Sequence, residues 1–295
     1  MPDAIGNKAA HDYHLDVPAP EQGFFAKGLG HGDWGAKNRL SRLFNPKSGN
    51  TVMLAFDHGY IMGATAGLER MDVTIAPLCR YADVLMATRG AIRSCIPPTV
   101  HNAICLRATY DASVLKEDMS TGNGVGADME AAIRMNASAV AIQCFIGGAG
   151  EARSLETLCR AVDAGERYGI PVLGVTAVGK EMARTTQYFL LATRMLAELG
   201  ASFVKTYYCD DFEKVVAACP VPIVIAGGKK LPEDEALAMA YRAISDGARG
   251  VDMGRNIFQS EHPAAMCQAV AKIVHEKFND REAYQFYQEL AAQEK

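Results

Sequence analysis

The sequence predicts an α/β fold, a (β/α)8 barrel with an N-terminal extension and an extra C-terminal helix, on three observations. First, eight short apolar runs recur from residue 51 onward, at 51–56, 82–87, 103–108, 137–144, 171–176, 202–206, 221–226 and 250–253. Each is continuous rather than alternating, which is how strands buried on both faces read. Second, segments of helical period lie between or after these runs, at 154–168, 181–199, 231–246 and 264–277, with Gly169 and Gly200 placed as helix stops. Third, eight strand–helix units fit into about 220 of the 295 residues, the size of one barrel. A doubly wound open sheet is the alternative arrangement of the same alternation.

The expected divisions are an extension over 1–50, a barrel over 51–278 and a closing charged helix within 279–295. The extension is polar at first, with scattered prolines. It continues through Gly28-Leu29-Gly30-His31-Gly32 into a short amphipathic piece at 39–44. It is expected to pack on the barrel or on a neighbouring subunit, with Trp34, the single tryptophan, as a packing anchor.

With 30 basic and 34 acidic residues the net charge is −4, and there is no dense Lys/Arg block to attract nucleic acid or an anionic membrane. No apolar run approaches the roughly 18 residues of a membrane span, and no charged-then-apolar leader opens the chain, so a cytoplasmic location is expected. The eight cysteines include no CxxC pair, and most sit inside apolar runs, as reduced core residues do. No metal site is expected, because the close pair His11 and His14 lies in the polar N-terminal stretch.

In a barrel, chemistry collects where strands run into their helices. That rule selects Asp57 and His58 after the first strand, Lys180 after the fifth, Lys205 at the end of the sixth, Gly227, Gly228 and Lys229 after the seventh, and Gly254 with Arg255 after the eighth. Lys205 closes the apolar stretch Ser202-Phe203-Val204. A lysine on a dry wall, with Lys180, Lys229 or Arg255 nearby, releases its proton more readily than one in water, and the freed amine can attack a carbonyl. The resulting imine is an electron sink for breaking or making a carbon–carbon bond. The bland alternative is a lysine that caps a strand or pairs with an acid. The glycines after the seventh and eighth strands, with Arg255, read as a phosphate site of exposed backbone N–H groups and one bidentate cation. Asp57 and His58 are candidates for proton transfer, or else a turn cap and a satisfied buried ring. There is no serine elbow, Walker loop or dinucleotide fingerprint. Pyridoxal phosphate would need a pyridinium partner, and none is apparent.

Four stretches together resemble the archaeal-type class I fructose-bisphosphate aldolases: Leu54-Ala55-Phe56-Asp57-His58-Gly59, Val204-Lys205-Thr206-Tyr207-Tyr208, Ile225-Ala226-Gly227-Gly228-Lys229-Lys230 and Val251-Asp252-Met253-Gly254-Arg255-Asn256-Ile257-Phe258. The resemblance implies a (β/α)8 barrel in which Lys205 forms the Schiff base. Gly32-Asp33-Trp34-Gly35, Arg39-Leu40-Ser41-Arg42 and Phe44-Asn45-Pro46-Lys47 are closer to a thiolase branch of that family. That branch implies a cytoplasmic homodecamer that passes an acetyl unit from a phosphorylated pentanedione to coenzyme A and leaves dihydroxyacetone phosphate. It also implies that Lys205 holds the ketone, that Gly228, Gly254 and Arg255 bind its phosphate, and that Asp57 or His58 handles protons. Coenzyme A, as cosubstrate with no bound cofactor, rests on the resemblance alone. Two other functions stay open: an aldolase acting on a sugar phosphate, and a barrel that only binds a phosphorylated ligand. One departure bears on both branches: at the end of the fourth strand, where the aldolases and the thiolase branch alike place a tyrosine, this chain has Phe145. Another group, such as His58 or Tyr207, then handles that proton, or the reaction differs. The segment 109–126 also differs from the thiolase branch.

Overall fold

The computed structural model describes residues 23–177 and 184–293. Eight parallel strands close into a barrel: β1 (Thr51–Ala55), β2 (Val84–Ala87), β3 (Ala103–Arg107), β4 (Ala139–Cys144), β5 (Val172–Thr176), β6 (Phe203–Tyr207), β7 (Ile223–Ala226) and β8 (Gly250–Met253). Each falls on one of the predicted runs, trimmed by up to two residues at its ends, except that β6 starts and ends one residue later than predicted. Pairing of β1 with β8, Thr51 opposite Gly250 through Leu54 opposite Met253, closes the ring and excludes the open sheet. The seam is tight: Gly250 has φ +147°, and a Cβ there would stand 2.1 Å from the Thr51 carbonyl oxygen. Only glycine allows the first and last strands to meet in this register.

Helices pack around the strands because each presents one apolar face. The longest, Glu151–Tyr168, buries Leu158 and Val162 and ends at Gly169 in the left-handed conformation, as predicted, while Gly200 ends Thr186–Glu198 in the same way. Glu233–Ser245 and Pro263–Glu276 follow β7 and β8, and Asp280–Gln293 packs against both. A six-residue 3₁₀ segment, Ala76–Tyr81, stands where the first full helix would be. Between β3 and its helix, Met129–Arg134, the chain makes an excursion braced by a small antiparallel ribbon, Thr109–Tyr110 with Gly124–Val125. Among the described residues no helix is long and apolar enough to cross a membrane.

The extension covers the end of the barrel where the strands begin. Asp33 caps the helix Trp34–Leu43 by accepting from the Ala36 N–H at 2.7 Å. Leu40, Leu43 and Phe44 fall on one face of this helix and are buried, and the Phe44 ring meets Phe203 of β6 edge-on at 5.4 Å. Farther out, Lys27 donates to the Cys219 carbonyl at 2.8 Å. Trp34 corrects the sequence reading. It is 79% exposed, because it stands about 120–180° around the helix from Leu40 and Leu43 and so faces solvent. The cysteines are all free, six of them buried and Cys95 and Cys159 partly so. His11 and His14 lie outside the described residues.

If the extension is an integral part of the core, Phe44→Ala removes an aromatic from a closed contact and costs about 3–5 kcal/mol. Urea unfolding measures this; a loss under about 1 kcal/mol would show that the extension is only loosely docked.

Candidate active site

Alternation along each strand turns every second side chain into the barrel. At the carboxyl ends this brings Ala55 and Asp57 from β1, Arg107 from β3, Gln143 and Phe145 from β4, Lys205 and Tyr207 from β6, and Asp252 and Gly254 from β8 around one cavity of about 240 Å³. His58, Tyr60, Gly227, Gly228 and Arg255 complete its wall. A larger groove of about 540 Å³ lies at the opposite end, beside the extension, but its charged residues Asp33 and Glu166 are exposed. Among the described residues, the mouth of the barrel is where buried charges of both signs gather.

Two ion pairs organise this mouth. Lys205 Nζ is 3.0 Å from Asp252 Oδ2, with the side chains 11% and 0% exposed. The ammonium also stands 3.7 Å from the Met86 sulfur. The neighbour at Lys205 is therefore a carboxylate, not the cluster of cations expected from the sequence. Burial drives the Asp252 carboxyl above its usual range, and the Lys205 charge only partly offsets this. The second pair joins Asp57 Oδ2 to Arg107, 2.7 Å from Nε and 2.5 Å from Nη2, with side-chain exposures of 7% and 5%. Burial alone would raise the Asp57 carboxyl. The Arg107 guanidinium, helped by Lys205, outweighs that and holds it below the ordinary carboxylate range.

The remaining wall is polar on one side and aromatic on the other. His58 Nε2 lies 3.1 Å from Thr65 Oγ1, and its ring stacks on Phe258. Burial lowers its proton affinity; Asp57 opposes this, while Arg255 and Lys205 add to it, so the ring is neutral at pH 7. The Tyr60 hydroxyl donates to Asp111, which the Asn123 amide holds from its other oxygen at 2.7 Å. Phe145 is 4% exposed and puts a bare ring into this wall. The Arg184 guanidinium lies over the Tyr207 ring at 4.0 Å.

At the far side, the loops after β7 and β8 are tied together by Asn256, which donates to the Gly227 carbonyl at 2.8 Å and accepts from the Leu231 N–H at 2.8 Å. A Cβ on Gly254 would stand 2.1 Å from the Ala55 carbonyl, so the chain passes β1 there with no room for a side chain. Of the predicted site residues, Asp57, His58, Lys205, Gly227, Gly228, Gly254 and Arg255 come together. Lys229 is exposed and does not line the cavity, because the loop turns it outward, while its neighbour Lys230 pairs with Glu233 at 2.8 Å. Lys180 lies outside the described residues. Arg107, Asp252 and Tyr60 are additions that sequence reasoning missed. Arg107 and Asp252 did carry a signal, each being a lone charge in a strand that otherwise reads as continuously apolar.

A barrel with this mouth is that of an aldolase family, and comparison with known proteins agrees. The chain belongs to the DeoC/LacD family of aldolases, whose family model matches residues 51–260. It is 55% identical over 290 residues to the 3-hydroxy-5-phosphonooxypentane-2,4-dione thiolase of Klebsiella pneumoniae, covering 98% of both chains. It is 52% identical over 288 residues to the protein of that name in Escherichia coli, covering 97% of this chain and 98% of that one. Among solved structures, an archaeal fructose 1,6-bisphosphate aldolase superposes with a TM-score of 0.72 at 25% identity, over 82% of this chain and 99% of that one.

Breaking the Asp57–Arg107 pair from one side leaves a buried guanidinium without its counter-ion. Asp57→Asn is therefore expected to cost about 3–5 kcal/mol at pH 7. Because the folded carboxyl is depressed, its contribution is fully present above the ordinary carboxylate range and is lost as pH falls through the depressed value. Thermal melts of wild type and variant should accordingly converge in acid; parallel curves from pH 7 to pH 3 would contradict this.

Proposed function

We propose that the protein is a Schiff-base thiolase. It transfers the acetyl group of 3-hydroxy-5-phosphonooxypentane-2,4-dione to coenzyme A, giving acetyl-coenzyme A and dihydroxyacetone phosphate. The observation that carries this reading is Lys205, an amine on the wall of a cavity flanked by loops suited to phosphate, in a chain that shares more than half its residues with thiolases of that name. The reading extends to autoinducer-2 degradation in the cytoplasm by a homo-oligomer, a decamer in the resemblance noted above.

The proposed sequence begins with Lys205 attacking C4 of the dione and losing water to form a protonated imine. Arg255 and the backbone N–H groups at Gly228 and Gly254 hold the phosphate. The thiol of coenzyme A gives its proton to neutral His58, and the thiolate attacks C2. The C2–C3 bond then breaks, the acetyl group leaves as the thioester, and the bonding pair moves into an enamine ending at the Lys205 nitrogen. A proton returns to C3, water hydrolyses the imine, and dihydroxyacetone phosphate departs. Asp57, locked to Arg107, keeps a fixed negative charge beside these steps. The second reading, an aldolase acting on fructose 1,6-bisphosphate, has the fold likeness in its favour. Phe145, a buried phenyl ring that cannot exchange a proton, bears on both readings, since both branches place a tyrosine there. The identity to the thiolases is what favours the first.

Lys205→Ala is expected to abolish acetyl-coenzyme A formation from the phosphorylated dione. Folded wild type that makes no thioester, yet cleaves fructose 1,6-bisphosphate without coenzyme A, would establish the aldolase instead. Arg255→Ala should act mainly on KM. Losing a charged bidentate contact costs about 1.5–3 kcal/mol, or roughly 10- to 150-fold, and an unchanged KM would remove Arg255 from the phosphate site.

A further inference from the structure

We infer that Asp252 is a catalytic residue: it accepts the proton that unmasks the Lys205 amine and then serves as counter-ion to the protonated imine. This rests on the assignment of Lys205 as the imine-forming residue. Nothing in the resemblance or the comparisons assigns Asp252 a role.

The geometry is unusual for a structural ion pair. Asp252 is wholly buried in the middle of β8, and its partners across the sheet are Met53 on β1 and Ala226 on β7, whose side chains donate no hydrogen bond. Among the described residues neither carboxylate oxygen has a hydrogen-bond partner of ordinary geometry, and the compensation for burying this charge there is the Lys205 ammonium 3.0 Å away. A buried carboxylate supported in this way is costly as architecture, and a hydrophobic residue would fill the position better. Asp57 is held differently: one of its oxygens takes two contacts from Arg107, whose charge keeps its proton affinity low. The cavity thus holds two carboxylates in different conditions, one paired with a guanidinium and one facing the reacting nitrogen.

The chemistry needs the second kind. Lys205 begins as R–NH3⁺ and ends as R–NH⁺=C. The N–C bond forms, the C–O bond breaks, and the ketone oxygen departs as water with two of the three ammonium protons. Asp252 takes the first of those protons, which frees the lone pair for attack, and releases it as the hydroxyl leaves. The nitrogen is cationic before and after, so the buried carboxylate faces a positive charge at both ends of the step and the overall charge of the pair never changes. After cleavage the enamine nitrogen is neutral. A nearby carboxylate then favours protonation at C3, because that restores the cation.

The test is borohydride trapping of the imine with saturating dihydroxyacetone phosphate, measured as the rate per folded molecule and mapped by peptide mass. Wild type should give a reduced adduct at Lys205. Asp252→Asn, close in shape but unable to accept a proton, should trap at least about 100-fold more slowly. Asp252→Glu, which keeps the charge one methylene away, should recover most of that loss and remain a fewfold below wild type. A purely structural role would lower the folded fraction and leave the rate per folded molecule unchanged. Asparagine trapping as fast as wild type would overturn the proposal alone. No adduct in wild type would overturn it together with the reading of Lys205. If the asparagine variant does not fold, the glutamate variant decides: a reduced rate at saturating ketone supports the role, and a wild-type rate overturns it.

Discussion

Four charged side chains sit buried at one end of a largely apolar barrel interior, and they can do so only as opposite-signed neighbours. That requirement binds β1 to β3 through Asp57 and Arg107, and β6 to β8 through Lys205 and Asp252. The pairs differ in what surrounds them. The Asp57–Arg107 pair has a further polar layer nearby, where the β3 excursion brings Asp111 to Tyr60 and Asn123. The Lys205–Asp252 pair borders methionine sulfur and apolar wall. Low local dielectric strengthens both, but only the second contains a nucleophile. A rigid pair beside a poised one suits the proposed reaction, in which the site holds its shape while Lys205 changes bonding.

The aromatic side of the cavity shows how chemistry can be redirected without changing the fold. Phe145 keeps the volume of a tyrosine and loses the proton. In the same cavity wall, the Tyr60 hydroxyl is present but engaged with Asp111, so it braces the excursion instead of facing a substrate alone. The excursion therefore both shapes the mouth and occupies one of its hydroxyls.

Much of this architecture was legible in the sequence because strand burial and helix stops are local signals. A run such as 221–226 has one reading when every residue in it is apolar and a barrel needs eight such strands. Lys205, Arg255 and the glycines were legible for a similar reason, since the end of a strand is a position a sequence can show. What each charge faces was not legible. Asp252 lies 47 residues from Lys205, and their contact exists only once β6, β7 and β8 are in register, so the expected cation cluster gave way to a carboxylate. Trp34 misled for a different reason: its size suggested burial, whereas the angle around a helix decides which side faces the core.

The seam between β1 and β8 also bears on how the chain reaches this state. Its partners are about two hundred residues apart, so the ring cannot close until almost the whole polypeptide has left the ribosome. Contacts of such separation form slowly, because a long loop must be ordered first. Throughout that interval β1, Thr51–Ala55, offers a bare edge of mostly apolar residues open to pairing with other nascent chains. The extension docks on β6 and the loop before β7, late elements in synthesis, so it cannot shield that edge early. Yield of folded protein should therefore respond to translation speed and chaperone supply more than the stability of the finished barrel would suggest.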